Sequence, residues 1–243
     1  MTEDTLLGGR VRLRQPARGL RAGHDAVLLA AAVPARPGER VLELGCGTGA
    51  AFLCLAARVP GVSVVAVERE PALAALAREN AALNGLADRV EVIEGDVADP
   101  ALHRALPRCA HGFANPPFWD GGTPPPEAIR RAATHGEGTQ GEATLADWAS
   151  CLAAIAHRGS ATLVLPAARF ADGLAALAGA GFGSPALLPL WPRAGVAAKR
   201  VLLAARRGGK GPGRVLPGLT LHEGDGPGTA AEAILRDGAA LPV

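Results

Sequence analysis

The chain has 243 residues, 49% of them hydrophobic and 20% charged, with a net charge of +2. This composition, with a mean hydropathy of +0.18, excludes a disordered chain, and no apolar run approaches the roughly 20 residues of a membrane span. The small net charge does not announce a nucleic-acid binder, and the acidic, polar start MTEDTLLGGR is not a secretory signal, so a cytosolic protein is expected.

Residues 1–36 form a basic N-terminal segment with Arg10, Arg12, Arg14, Arg18 and Arg21, ending in a buried-helix pattern, AVLLAAAV, at 26–33. Asp25, just ahead of it, suits the N-cap of that helix. From residue 40 strands and helices alternate. The expected strands are 40–45, 62–68, 89–96, 111–115, 160–166, 184–191 and 199–207, and the helices are 49–58, 71–85, 145–159 and 168–181. Pro71 opens the second helix and Gly85 closes it. This order predicts an α/β, Rossmann-like domain over 37–207: a mostly parallel seven-stranded sheet with helices on both faces. Residues 119–143 read as a long Gly/Pro-rich loop, a length associated with function. Residues 208–218 read as a flexible linker, and 208–243 as a short appendage ending in a helix near TAAEAILRDG.

A second basic run lies at 190–215, with Arg193, Lys199, Arg200, Arg206, Arg207, Lys210 and Arg214 and no acid. If it meets the N-terminal arginines in space, the two could hold phosphates; otherwise both are solvated faces. Cys46, Cys54, Cys109 and Cys151 lack C-x-x-C or zinc spacing and read as reduced core filler, with no metal site expected.

Ligands of a parallel sheet gather at the carboxyl ends of its strands. ELGCGTGA (43–50) puts Gly45, Gly47 and Gly49 between a strand and a helix N-terminus, where backbone can approach a ligand closely. Glu68 ends the next strand, placed for both hydroxyls of a ribose, and Asp96 ends the third, placed for an adenine amino group. Two ligands fit these residues. One is a nicotinamide dinucleotide, since Ala50 and Ala51 loosely satisfy G-x-G-x-x-G/A. The other is S-adenosylmethionine (SAM).

The fourth strand stops at Asn115-Pro116-Pro117-Phe118. Two prolines lock the backbone, the Asn115 side-chain oxygen and the Pro116 carbonyl can each accept one hydrogen of an amino group, and Phe118 offers a stacking face. Trp119 either extends that face or packs beneath it. ELGCGTG resembles the glycine motif of class I SAM-dependent methyltransferases, with Glu68 and Asp96 at the ribose and adenine motifs, and NPPF resembles the N-P-P-[F/Y] motif of enzymes that methylate planar amino nitrogens. Those substrates include N6 of adenine, N2 of guanine and the glutamine amide of release factors.

Within this class, residues 6–33, NPPF, ATHGE (133–137) and KRVLLA (199–204) resemble the bacterial tRNA (valine) adenine-N6-methyltransferase family. The resemblance implies SAM as cofactor, held by Asp25, Glu43, Gly45, Cys46, Gly47, Gly49, Glu68, Asp96, Val97 and Asn115. It implies Asn115, Pro116, Pro117 and Phe118 as the catalytic group. Phe118, Trp119, Arg10, Arg21, Lys199 and Arg200 are the expected contacts to an RNA, most plausibly tRNA. Phe118 stands where tyrosine is commoner, and the 208–228 stretch is glycine-rich; both leave the target base open. His135 is a candidate base contact or a solvated loop residue. A glutamine-amide methyltransferase would usually carry a helical domain ahead of the glycine loop, where this chain has about 40 residues. A NAD-dependent oxidoreductase would make NPPF irrelevant.

Overall fold

The computed structural model describes residues 1–17, 21–117, 143–224 and 226–243. It opens with an antiparallel hairpin of β1 (Thr2–Leu6) and β2 (Val11–Gln15), which the periodicity had not indicated. Along β2 the buried Val11, Leu13 and Gln15 alternate with the exposed Arg12 and Arg14. The helix α1 (His24–Ala32) follows.

The core then alternates as expected: β3 (Arg40–Leu44), α2 (Ala50–Arg58), β4 (Ser63–Glu68), α3 (Pro71–Leu83), β5 (Val90–Glu94), α4 (Pro100–Ala105), β6 (His111–Ala114), α5 (Leu145–Leu152), β7 (Ser160–Pro166), α6 (Phe170–Gly179), β8 (Phe182–Trp191) and β9 (Arg200–Arg207). The short α4, capped by the Asp99 side chain on the Ala101 N–H, is an addition to the sequence reading. Helix α5 starts at a capping box between Thr144 and Asp147, a device worth roughly 0.5–2 kcal/mol. It ends earlier than the expected residue 159 because the Ala156 N–H turns aside to the Cys109 carbonyl, steering the chain into β7.

The seven core strands lie in the order β8-β9-β7-β6-β3-β4-β5. Strands β5, β4, β3, β6 and β7 pair in parallel; β9 inserts antiparallel between β7 and β8. The order reverses at β3, between β4 and β6, which makes the carboxyl end of β3 the switch point of the sheet. One face packs on α1, α2 and α3 through Leu28, Phe52, Ala77 and Phe113. The other packs on α4, α5 and α6 through Leu102, Trp148, Leu163 and Leu177.

The 208–218 stretch, expected as a linker, is tied to the sheet edge. Its β10 (Arg214–Val215) pairs in parallel with β8, as does β11 (Leu219–Thr220) after it. The β12 (His222–Glu223) and β13 (Gly226–Pro227) ribbon leads to α7 (Thr229–Asp237), the expected terminal helix, which packs on α1. The four cysteines are free and buried. Among the described residues no helix is long and apolar enough to cross a membrane.

Candidate active site

The glycine loop leaves β3 at the switch point. Gly45, Gly47 and Gly49 all have positive φ, at 64°, 56° and 93°, a region that side chains disfavour. They differ in what surrounds them. A Cβ on Gly45 would stand 2.5 Å from the Trp148 ring, and one on Gly49 would meet Phe52. A Cβ on Gly47 would meet nothing within 4 Å. Two glycines therefore serve packing, and the third presents bare backbone to open space.

Glu68, 7% exposed, pins this loop. One carboxylate oxygen accepts from the Gly47 N–H at 2.7 Å and the other from the Glu70 N–H at 3.0 Å. Each oxygen has a further lone pair, so the group can hold the loop and still accept from a ribose. Glu43, 4% exposed, lies beneath, and its Oε2 has no hydrogen-bond partner among the described residues. Burial, reinforced by the negative Glu68, pushes the Glu43 carboxyl well above the usual range, against an opposing bond from the Phe52 N–H. An orphaned buried carboxyl is costly; a ligand bringing an ammonium donor to this loop would relieve it. SAM carries such a group on its methionine end, and the open face at Gly47 leaves room for it.

Asp96 accepts from the Ala98 N–H at 2.9 Å and has Arg69 at 3.8 Å. Its neighbour Val97 is buried, and its carbonyl accepts from His103 Nε2 at 2.6 Å. Strand register brings the amine-binding motif alongside. Leu44 of β3 pairs with Ala114 of β6, so Gly45 and Asn115 are the next residues out of two adjacent strands. Asn115 is exposed, Pro116 is buried and Pro117 half-buried. The Asn115 side chain has no hydrogen-bond partner among the described residues. Phe118, Trp119 and His135 lie outside the described residues, as do Arg18 and most of the 119–143 loop.

Asp25 is not the N-cap of α1. Gly23 holds that position, Asp25 sits in the first turn, and its carboxylate pairs with Arg200 Nε at 3.2 Å. This joins the N-terminal segment to the start of β9. Because β9 runs antiparallel, Lys199 and Arg200 fall at the carboxyl end of the sheet, on the side of the glycine loop. The N-terminal arginines are more occupied than a phosphate-gripping surface would need. Arg10 donates to the carbonyls of Leu7 and Arg236. Arg21 pairs with Asp4 at 2.6 Å, and Arg12 and Arg14 both engage Glu3.

Asn80 and Asn84 on α3 were missed. Asn80, fully buried, accepts from the Arg14 N–H and donates to the carbonyls of Arg14 and Thr48. Asn84 does the same for Arg12. The two side chains imitate a neighbouring strand along the edge of β2, and Asn80 also binds the glycine loop through Thr48. Asn80 in the helix interior, where asparagine is disfavoured, with Asn84 four residues on at the C-cap, was the readable sign.

A methyltransferase-domain family model matches residues 41–109, the span from β3 to the approach to β6. A tRNA1(Val) (adenine(37)-N6)-methyltransferase from Aeromonas hydrophila is 32% identical over 209 residues, covering 85% of this chain and 84% of its own. A relative of the same name from Porphyromonas gingivalis is 32% identical over 143 residues, 56% of each chain, so the match spans little more than half of that protein. Among solved structures, a predicted O-methyltransferase from Agrobacterium tumefaciens superposes with a TM-score of 0.71 at 26% identity, covering 90% of this chain and 99% of its own.

Proposed function

The chain belongs to the tRNA1(Val) (adenine(37)-N6)-methyltransferase family, and from that premise we propose that it methylates N6 of an adenine in a tRNA. It is a SAM-dependent methyltransferase, which settles the choice between the two nucleotide ligands in favour of SAM. The observation that carries the amine reading is the register of β3 and β6, which sets Asn115-Pro116-Pro117 directly beside the glycine loop.

When bound, SAM supplies an electrophilic methyl on a sulfonium, so the transfer needs a nucleophile with an available lone pair. The lone pair of an adenine amino group is delocalised into the ring. Asn115 Oδ1 accepts one amino hydrogen and the Pro116 carbonyl the other, which localises the lone pair on nitrogen. The prolines fix the two acceptors before the base arrives, so little ordering remains at the moment of reaction. The base reaches them flipped out of its stack, with Phe118 as its platform. Glu68 and Asp96 would hold the cofactor's ribose and adenine, and Glu43 and Gly47 its methionine end. Lys199 and Arg200, at the same carboxyl end of the sheet as the cleft, provide phosphate contacts. A tRNA substrate supports a cytoplasmic site of action.

The likeness to a predicted O-methyltransferase gives an oxygen acceptor as the second reading. An oxygen nucleophile carries at most one hydrogen, so it leaves one of the paired acceptors unused. The test is methyl-labelled SAM with undermodified bacterial tRNA, digested to nucleosides. Label in N6-methyladenosine is the expected result; label in an O-methylated nucleoside, or none in RNA, overturns the reading. Asn115→Ala should lower turnover about 10²-fold or more while SAM affinity falls far less. Near-normal turnover in this variant would sink the amine-acceptor role.

A further inference from the structure

The basic run at 190–215 does not act at one place. Lys199 and Arg200 lie at the carboxyl end of the sheet, whereas Arg206 and Arg214 lie near its opposite end, the length of β7 away. Seven residues of strand span about 20 Å.

At that far end the structure has a cavity of 710 Å³, within the range of ligand pockets. Its floor is the sheet itself. Register aligns Thr162, Ala204, Ala186 and Arg214 across β7, β9, β8 and β10, and below them His111, Ser160 and Arg206 across β6, β7 and β9. The connection from β7 to β8 runs through α6 on the other face, so these small residues are left without a covering helix. Four arginines line the cavity: Arg36, Arg158, Arg206 and Arg214. All are exposed, and none has an acidic partner among the described residues. Of its lining residues, Glu39 is the acidic side chain, already engaged by His111 at 3.4 Å and by the Arg36 N–H, and Val243, the last residue of the chain, also borders it. Thr162 supplies an independent sign: it is 1% exposed, it lines the cavity, and its hydroxyl has no hydrogen-bond partner among the described residues. Unpaired guanidiniums around a flat floor of small side chains, with an unsatisfied hydroxyl in it, match a flat ring bearing a phosphate.

We propose that this cavity is a second binding site, separate from the methyl-transfer cleft, for the phosphate of a nucleotide, either free or within an RNA chain. It does not depend on which base is methylated.

The test is calorimetric titration of the full chain with each of the four nucleoside 5′-monophosphates and, separately, each nucleoside. Saturating S-adenosylhomocysteine keeps the first cleft filled. At least one monophosphate should bind tenfold or more tighter than its nucleoside. The double variant Arg36→Ala/Arg206→Ala should lose that difference while its melting temperature and its affinity for S-adenosylhomocysteine stay at wild-type values. Thr162→Val should weaken the same binding with all four arginines present. Four monophosphates no better than their nucleosides, or an unchanged double variant, would overturn the proposal. The source is read from tRNA kinetics. A raised KM for tRNA in the double variant, with kcat kept, assigns the phosphate to RNA; an unchanged KM with nucleotide binding lost assigns it to a free nucleotide. Loss of this site would leave the identity of the methylated nucleoside unchanged, so its failure and that of the adenine reading are distinct.

Discussion

Gly45→Ala and Gly47→Ala should fail in opposite ways, although both glycines belong to one motif. Each has positive φ, so an alanine at either position costs about 1 kcal/mol in backbone strain. At Gly45 the new methyl would also sit 2.5 Å from the buried indole of Trp148. Forcing extra volume into a packed core costs about 1–3 kcal/mol, for a total of about 2–4 kcal/mol. In a chain of this size each kcal/mol lowers Tm by about 2–4 °C, so Gly45→Ala should melt about 4–16 °C lower. At Gly47 no protein atom lies within 4 Å of the added Cβ, and the loss should stop at about 2–4 °C. The methyl there enters the space argued to belong to the cofactor, so SAM affinity should fall about tenfold or more. Thermal melts and SAM titration of both variants check this. A Gly47→Ala protein that binds SAM normally would show that the open side of the loop is not the ligand side. A Gly45→Ala protein as stable as Gly47→Ala would show that Trp148 gives way at little cost.

Glu43→Gln should raise the Tm of the ligand-free protein at neutral pH and weaken SAM binding, because the folded carboxyl titrates above its unfolded value. Such a group contributes stability below about pH 4.5 that is lost as pH rises through its folded value, so the variant should flatten that decline; a lower Tm at neutral pH would refute the account. His111 carries the opposite sign. Burial, aided by Arg36 and Arg206, lowers its folded value below 6.5 against the pull of Glu39. Its contribution is present above about pH 6.5 and is lost as pH falls through the folded value, so melts of wild type and His111→Gln should diverge just below that pH, and parallel curves would exclude the role. Asn80→Ala strands the Arg14 N–H and the carbonyls of Arg14 and Thr48. It should cost about 1–3 kcal/mol and speed amide exchange in β2; unchanged exchange there would mean that the hairpin is held by its apolar side chains alone.

The sheet was legible because its strands are short apolar runs alternating with helices, and because the candidate site groups stand at strand ends. Gly45, Glu68, Asp96 and Asn115 needed no tertiary knowledge beyond the rule that parallel strands share one carboxyl end. The β3–β6 pairing that brings Asn115 to the loop follows from sheet order, and the sequence could suggest that order only through resemblance. The hairpin at 1–15 was not legible. Its period-2 pattern is brief and its polar residues are arginines, so it read as a charged segment. What fixes it, Asn80 and Asn84 bound to the backbone of Arg14 and Arg12, lies about 70 residues away. The 208–218 stretch misled because its glycines suggest freedom. In the fold Gly183 and Gly209 pack backbone against backbone: a Cβ on Gly183 would collide with the Gly209 carbonyl oxygen.

Charge was read as a total and as runs along the chain, and that is where sequence reasoning reached furthest past its means. An antiparallel strand carries a basic run from one end of the sheet to the other. Lys199 and Arg200 open β9 beside the cleft, and Arg206 and Arg207 close it at the far end. Of the N-terminal arginines, Arg12 and Arg14 spend their charge on Glu3 and Arg21 on Asp4. Exposed pairs of this kind contribute only about 0–1 kcal/mol, yet they offset much of the positive charge that a phosphate would meet. Around the far cavity, Arg36, Arg158, Arg206 and Arg214 have no acidic partner among the described residues. If RNA is the ligand of both places, it must reach from Asn115 across the depth of the sheet, and a chain carrying a phosphate at every nucleotide can do so.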